Sequence, residues 1–501
     1  VSFNIRDSKI FAVQKSYHRF LKHKTYTTFQ GEIMNMNRRD ALKVGAAGVA
    51  AVAAASTLTG CVAGETGTAA AGAAGKMLGK HKVVIIGGGF GGMTVANNLK
   101  KADKNFDIAI IEKSDTFMAC PVSNTYLGKL EGMDLGKFVF DYNQPVAKHG
   151  YAMLKSEVIS INRAAKTVTT AAGTVGYEIL VLSPGIAYNY EGQFPTWTKE
   201  QINAVKTHCP AAMIPGSEHV ALERQLMNMD DGDVIITVPH GKFRCPPAPF
   251  ERASMIAEFM TKEEINGKVI ILNPSNKFAK AAAFKESWKD VYGDKIVHMD
   301  FCEIDSVDTD GKTIHFTQKV PTGKKDADGD MIMKAVKKSH KYSVCNLLVD
   351  HKASPVVQMA TLQTTADAFK KVKMNGCSFQ TATDKDVYAV GDIVGHAIPP
   401  SGQTAVWSGK ECAAEIAHRL HGKPYTLGVK TKGVKAANVC FSMVAGAPEE
   451  GIMVTHDFSW TGSVIKGKGH VPKAPSGKFR SKNTAKALRD WYRGIMSDLF
   501  A

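Results

Sequence analysis

Lys82-Val83-Val84-Ile85-Ile86-Gly87-Gly88-Gly89-Phe90-Gly91-Gly92 decides the fold of this chain. A short apolar run enters a glycine cluster, and a helix pattern follows it. A second apolar run at residues 108–111 ends on Glu112, 20 residues past Gly92, and Cys120 follows eight residues later. The spacing predicts a strand over 82–86 and a tight turn at Gly87, Gly89 and Gly92. Glycines in such a turn let a pyrophosphate approach a helix N-terminus, where free N–H groups and the helix dipole favour negative charge. Glu112 stands where an acid can hold a ribose hydroxyl. A glycine motif alone is weak, but strand, glycines, helix, strand and acid in register predict a dinucleotide site.

The 501 residues exceed what one hydrophobic core can hold, so roughly two to three domains are expected. Hydrophobic content of 44% with 22% charged residues is ordinary for a globular protein. No body segment has the run of about 18 apolar residues that a spanning helix needs. Net charge is +16, of which residues 1–60, with nine Lys/Arg and three Asp/Glu, supply +6. The basic cluster at 324–341 reads as a solvated hairpin or insertion, and no nucleic-acid partner is expected.

Asn37-Arg38-Arg39-Asp40-Ala41-Leu42-Lys43 precedes a charge-free Ala/Val-rich stretch at 44–58. That order predicts an export signal of the twin-arginine type, which carries folded, cofactor-loaded proteins to the periplasm. Leu58-Thr59-Gly60-Cys61 resembles a lipoprotein box with Cys61 as lipid anchor, and a cut between residues 62 and 75 competes with it. Met34 or Met36 is an alternative start. An exported chain can keep a disulfide.

Beyond the glycine motif, residues 177–182 read as a strand ending in Ser183-Pro184-Gly185. Later, Asp386-Val387-Tyr388-Ala389-Val390-Gly391-Asp392 places an acid at a strand end before a helix over 403–420. That acid can bind ribityl hydroxyls, and the helix start at Gln403-Thr404-Ala405 can stabilise charge at a flavin edge. The order of these segments is that of FAD-dependent disulfide oxidoreductases. Their fold is α/β, with two Rossmann-like domains as in glutathione reductase and a C-terminal α+β interface domain. The expected divisions are 1–61 signal, 62–80 linker, 81–200 and 351–425 FAD domain, 201–350 second Rossmann-like domain, and 426–501 C-terminal domain.

Val234-Ile235-Ile236-Thr237-Val238 reads as the first strand of that second domain. A second glycine motif should follow, yet the chain continues Pro239-His240-Gly241-Lys242-Phe243-Arg244-Cys245-Pro246-Pro247. Prolines remove backbone donors and no glycine pair admits a pyrophosphate, so no nicotinamide site is expected there.

Of nine cysteines, none forms a CxxC pair or a CxxCH, so no metal site and no attached haem are expected. Cys209, Cys302, Cys345, Cys377 and Cys412 read as structural. Arg244 beside Cys245 should favour a thiolate in a loop stiffened by proline. Cys440 begins an apolar strand, and from spacing a Cys245–Cys440 bond is one pairing among many.

Over residues 82–501 the chain resembles the flavoprotein subunit of flavocytochrome c sulfide dehydrogenase. The landmarks are the glycine motif, Cys120-Pro121-Val122-Ser123-Asn124, Ser183-Pro184-Gly185, Phe243-Arg244-Cys245-Pro246-Pro247-Ala248-Pro249-Phe250-Glu251-Arg252, Val390-Gly391-Asp392 and the Cys440 segment. The resemblance implies FAD attached covalently through Cys120, a redox-active Cys245–Cys440 disulfide, and Glu251 close to it. It also implies hydrosulfide as substrate, attacking the disulfide and sending two electrons through FAD to a separate c-type cytochrome subunit. Glu251 reads equally as a proton acceptor or as a helix-start carboxylate paired with Arg252. A sulfide:quinone oxidoreductase is the nearest rival, with Leu488, Trp491, Tyr492, Ile495, Met496 and Leu499 as a membrane-facing stripe. A non-catalytic sulfur-binding or electron-carrying scaffold and an NADH-dependent disulfide reductase are further alternatives.

Overall fold

The structure, a computed structural model, describes residues 75–501. The Arg38 and Arg39 signal, the apolar stretch at 44–58 and Cys61 lie outside the described residues. Four parallel strands, β1 (Met77–Ile86), β2 (Ile108–Glu112), β3 (Ala152–Lys155) and β4 (Gly173–Leu182), run in the order β3-β2-β1-β4. Parallel sheets are covered on both faces, which explains the unbroken apolar run Val83-Val84-Ile85-Ile86, at most 3% exposed. β1 begins five residues before the expected start, because Met77–Lys80 also pair with β4 across a register shift. The strand Val387–Ala389 adds to the same sheet beside β4, so two distant segments of chain build one layer. Helix α1 (Phe90–Ala102) follows the glycines directly.

A second parallel sheet holds β5 (Val234–Thr237), β6 (Val269–Leu272), β7 (Ile296–Met299) and β8 (Val344–Asn346) in the order β7-β6-β5-β8. Its helices α2 (Ala248–Lys262) and α3 (Ala281–Tyr292) pack on one another. The basic segment lies on an exposed antiparallel hairpin formed by Thr313–Lys325 and Met331–Lys341, as its charge predicted. The molecule is thus α/β with two Rossmann-like sheets.

The helix expected at 403–420 is α4 (Gly402–Leu420), capped by Ser401, whose Oγ accepts a hydrogen bond from the Thr404 N–H. Gly409 lets α4 close on α1, since a Cβ there would stand 2.8 Å from Thr94 Cβ and 2.9 Å from the Gly91 oxygen. The C-terminal layer has antiparallel strands β9 (Val434–Gly446), β10 (Glu449–Trp460) and β11 (Ile465–His470) under helix α5 (Lys482–Phe500). Leu488, Tyr492, Ile495, Met496 and Leu499 are buried in the body of the protein, and Phe500 stacks on Phe117 at 4.7 Å. This corrects the membrane-facing reading of the stripe: its apolar partner is the protein's own core. Among the described residues no helix is long and apolar enough to cross a membrane.

Candidate active site

The glycine motif forms the wall of a groove lined by Gly87, Gly89, Glu112, Ser183, Gly185 and Asp392. Gly87 has φ 101°, and a Cβ on it would lie 2.3 Å from the Ser183 carbonyl oxygen. Gly92 lies behind the groove, where a Cβ would meet the Gly87 oxygen at 1.9 Å, so α1 reaches β1 only without side chains. A Cβ on Gly89 would meet nothing nearer than 3.9 Å, which leaves that face open to a ligand. The Glu112 carboxylate accepts from Gly88 N at 2.8 Å and Ser114 N at 2.9 Å, which fixes it against the glycine turn. Asp392 also lines the groove, 3.3 Å from Arg244 Nε. The groove suits a dinucleotide: open glycine backbone with two acids in its lining.

A second cavity adjoins it and shares Ser401 and Gly402 at the start of α4. Cys120, Cys245, Glu251, Gln403 and Cys440 all line this cavity. The eight described cysteines carry free thiols in this structure, so Cys245 and Cys440 face one space as a dithiol. Three non-glycine residues at or beside the cavity hold left-handed backbone: Val122 (φ 68°), Cys245 (φ 51°) and Lys280 (φ 60°). Each such residue costs about 1–3 kcal/mol, a strain that concentrates at functional sites. The Cys245 N–H donates to the Pro400 oxygen at 2.8 Å and its carbonyl accepts from Ala248 N, so the proline-rich loop opens α2.

Burial pushes the Cys245 thiol well above its ordinary range, and the negative fields of Cys440, Cys120 and Glu251 add to the shift. The thiolate expected from Arg244 is therefore corrected. The Arg244 guanidinium turns to Asp392, and desolvation governs the sulfur. Burial likewise raises Cys440 and Cys120.

Glu251 is 5% exposed, and burial lifts its carboxyl above the usual carboxylate range. It does not pair with Arg252. Its Oε2 accepts from Asn124 Nδ2 at 2.9 Å and its Oε1 from Met443 N at 2.8 Å. Arg252 instead donates to Asn124 Oδ1 at 3.0 Å, Asn346 Oδ1 at 2.9 Å and the carbonyls of Ala211 and Ala212. Asn124 thus bridges the two charges. Gln403 Oε1 accepts from the Trp491 indole at 2.7 Å, which ties α5 to the cavity.

Where the missing glycine motif would stand, His240 is held by Asp350 (Nδ1, 3.0 Å) and Glu303 (Nε2, 2.7 Å). These bonds raise the imidazole to about 10.

Residues 219–348 match the family model for the central part of the sulfide dehydrogenase [flavocytochrome c] flavoprotein chain, and residues 434–500 match that for the flavin-binding part of flavocytochrome c sulphide dehydrogenase. Residues 81–209 match the pyridine nucleotide-disulphide oxidoreductase model. The sulfide dehydrogenase [flavocytochrome c] flavoprotein chain of Chlorobaculum thiosulfatiphilum is 41% identical over 46 residues, 9% of this chain and 96% of that sequence. The chain belongs to the flavocytochrome c sulfide dehydrogenase flavoprotein family. FAD is its cofactor, and the glycine-walled groove with Glu112 and Asp392 fits that group. The type II NADH:quinone oxidoreductase NdhA of Mycobacterium tuberculosis is 31% identical over 122 residues, 23% of this chain and 24% of that one. Among solved structures, sulfide:quinone oxidoreductase from Aquifex aeolicus superposes with a TM-score of 0.61 at 16% identity, covering 84% of this chain and 92% of the other. The NAD-dependent persulfide reductase from A. fulgidus gives 0.53 at 14% identity, covering 83% and 77%. These two likenesses describe the shared fold.

Sequence reasoning gave Asn124 and Lys280 no individual role, and placed Trp491 only in the apolar stripe of the C-terminal helix, where its indole instead bonds Gln403. Lys280 carried a faint signal, a lone cation in the otherwise apolar Phe278-Ala279-Lys280-Ala281-Ala282-Ala283-Phe284.

Proposed function

We propose that this chain oxidises hydrosulfide through a Cys245–Cys440 disulfide and passes the electrons by way of FAD to a c-type cytochrome subunit. The observation that carries this reading is the cavity shared by Cys245, Cys440, Glu251 and Cys120, joined to the cofactor groove at Ser401 and Gly402. Hydrosulfide, a small soft nucleophile, attacks one sulfur of the bridge, leaves a persulfide there and expels the other sulfur as a thiolate. Glu251, whose proton affinity burial raises above that of an ordinary carboxylate, accepts the proton that the substrate sheds. Gln403 and Trp491 hold the start of α4 against α5. Cys120 is the side chain that would attach the cofactor, and its loop is set by the strained Val122. Bound FAD supplies a two-electron acceptor able to release electrons singly.

The twin-arginine leader at Arg38 and Arg39 supports a periplasmic site of action, where a disulfide persists. Cys61 would anchor the chain to a membrane if the lipoprotein box is used. A quinone as acceptor is less well supported, because the apolar face of α5 is packed inside the protein. The test is anaerobic addition of sulfide to the FAD-loaded protein while the flavin spectrum is recorded, with a soluble c-type cytochrome added afterwards. Bleaching at one equivalent followed by cytochrome reduction is expected. An unchanged spectrum with sulfide but bleaching with NADH would overturn the reading.

A further inference from the structure

The two cysteines of the cavity are electrostatically unequal, and Lys280 makes them so. It is 6% exposed and sits in left-handed backbone immediately before α3. Its Nζ donates to the Cys440 carbonyl at 3.1 Å and to Ser442 Oγ at 2.8 Å, and stands 4.0 Å from Cys440 Sγ. Among the described residues no carboxylate forms an ion pair with it; the Phe284 ring lies 5.7 Å away. A buried cation without a paired anion is costly, and a negative charge on Cys440 would compensate it. Cys245 has no such contact: the field of Lys280 reaches it more weakly than those of Cys440, Cys120 and Glu251, which oppose a thiolate there, while the neighbouring Arg244 is engaged by Asp392.

We propose that Lys280 is a positioning residue that fixes the polarity of the Cys245–Cys440 bridge, holding Cys440 as the leaving thiolate so that the sulfur taken from substrate is carried on Cys245. The inference rests on the disulfide reading above. Hydrosulfide bonds to Cys245 Sγ as the Cys245–Cys440 bond breaks, giving a Cys245 persulfide and a Cys440 thiolate. The incoming sulfur is oxidised, Cys440 takes the electron pair, and no further oxidant is needed. Disulfide exchange is faster when the leaving sulfur is the better-stabilised thiolate, which sets the direction of attack. The groups that face Cys440 or share its field are Lys280, Glu251, Cys245 and His456. Burial and then Lys280 keep His456 below its ordinary range, which favours its neutral form.

Two measurements on the FAD-loaded protein test this. In the first, the reduced dithiol is alkylated with iodoacetamide across pH 6–10, and the Cys245 and Cys440 peptides are quantified separately. Cys440 should react at lower pH than Cys245. Lys280→Met should slow Cys440 by about tenfold or more at a fixed pH, one unit of thiol pKa, and Lys280→Arg should restore most of the rate. An unchanged Cys440 profile in a folded Lys280→Met protein overturns the proposal. The second measurement needs no variant. One equivalent of sulfide is added to the oxidised wild type, and the persulfide is trapped and mapped. Persulfide on Cys245 supports the proposal, and persulfide on Cys440 overturns it while leaving the disulfide reading intact. Sulfur on neither cysteine overturns the disulfide reading itself, and the inference with it.

Discussion

Asn124→Ala removes the one side chain that touches both buried charges beside the dithiol. The substitution deletes the donor to Glu251 Oε2 at 2.9 Å and the acceptor for Arg252 Nε at 3.0 Å. Hydrogen bonds to charged groups contribute about 1.5–3 kcal/mol each, so the two together predict a loss of about 3–6 kcal/mol. With a urea m-value of about 3 kcal/mol/M, the unfolding midpoint should fall by at least about 1 M. The Asn124 bond also lowers the Glu251 proton affinity against the larger effect of burial, so its removal should push that affinity higher still. The sign follows from linkage. Glu251 binds its proton more tightly folded than unfolded, so its contribution is fully present below the unfolded carboxylate range and is lost as pH rises through the raised folded value. Stability of the variant should therefore decline with pH over a range extending higher than in the wild type. Urea unfolding followed by near-UV circular dichroism at several pH values reads both effects. Asn375→Ala, at an exposed asparagine whose side chain donates to Gln380 Oε1 and whose backbone bond to the Gln380 carbonyl survives the change, is the control and should change stability by less than about 0.5 kcal/mol. A loss under about 1 kcal/mol in Asn124→Ala, with an unaltered pH profile, would refute the bridging role.

Other substitutions probe the rest of the account. Gly92→Ala forces a methyl group to within 1.9 Å of the Gly87 oxygen and should yield protein with little bound FAD, read from the absorbance ratio after purification. Cys120→Ser should let FAD be released by acid or denaturant, whereas the wild type should keep it attached to the Cys120 peptide in mass spectrometry. His240, raised to about 10 by Asp350 and then Glu303, contributes stability that is present below its unfolded value and lost as pH rises through about 10. His240→Ala should flatten the stability profile between about pH 6.5 and 10; the gain is modest because the imidazole is 41% exposed.

The cofactor half of the molecule was legible because it is written in backbone. Gly87 and Gly92 have no room for a Cβ, and Glu112 and Asp392 follow strands whose apolar runs are unmistakable. The dithiol half was legible only through likeness to a family, because Cys245 and Cys440 meet by folding two remote segments together. Charges misled where chain neighbours differ from spatial neighbours: Arg244 adjoins Cys245 in sequence, but its ion pair is with Asp392 and burial dominates the thiol. Glu251 and Arg252 are consecutive yet separated by Asn124. The amphipathic pattern of α5 predicts an apolar partner without naming it, and the C-terminal sheet takes that place. Lys280 reaches the site from the turn before α3; its apolar flanks mark it as unusual, but its partner Cys440 lies 160 residues away in the chain.

Non-reducing peptide mapping of the oxidised, FAD-loaded protein, before and after one equivalent of sulfide, reads the state of the two cysteines themselves. A Cys245–Cys440 cross-linked peptide is expected beforehand and its disappearance afterwards, in step with flavin bleaching. Free, alkylatable Cys245 and Cys440 in oxidised protein that sulfide still bleaches would contradict the disulfide reading.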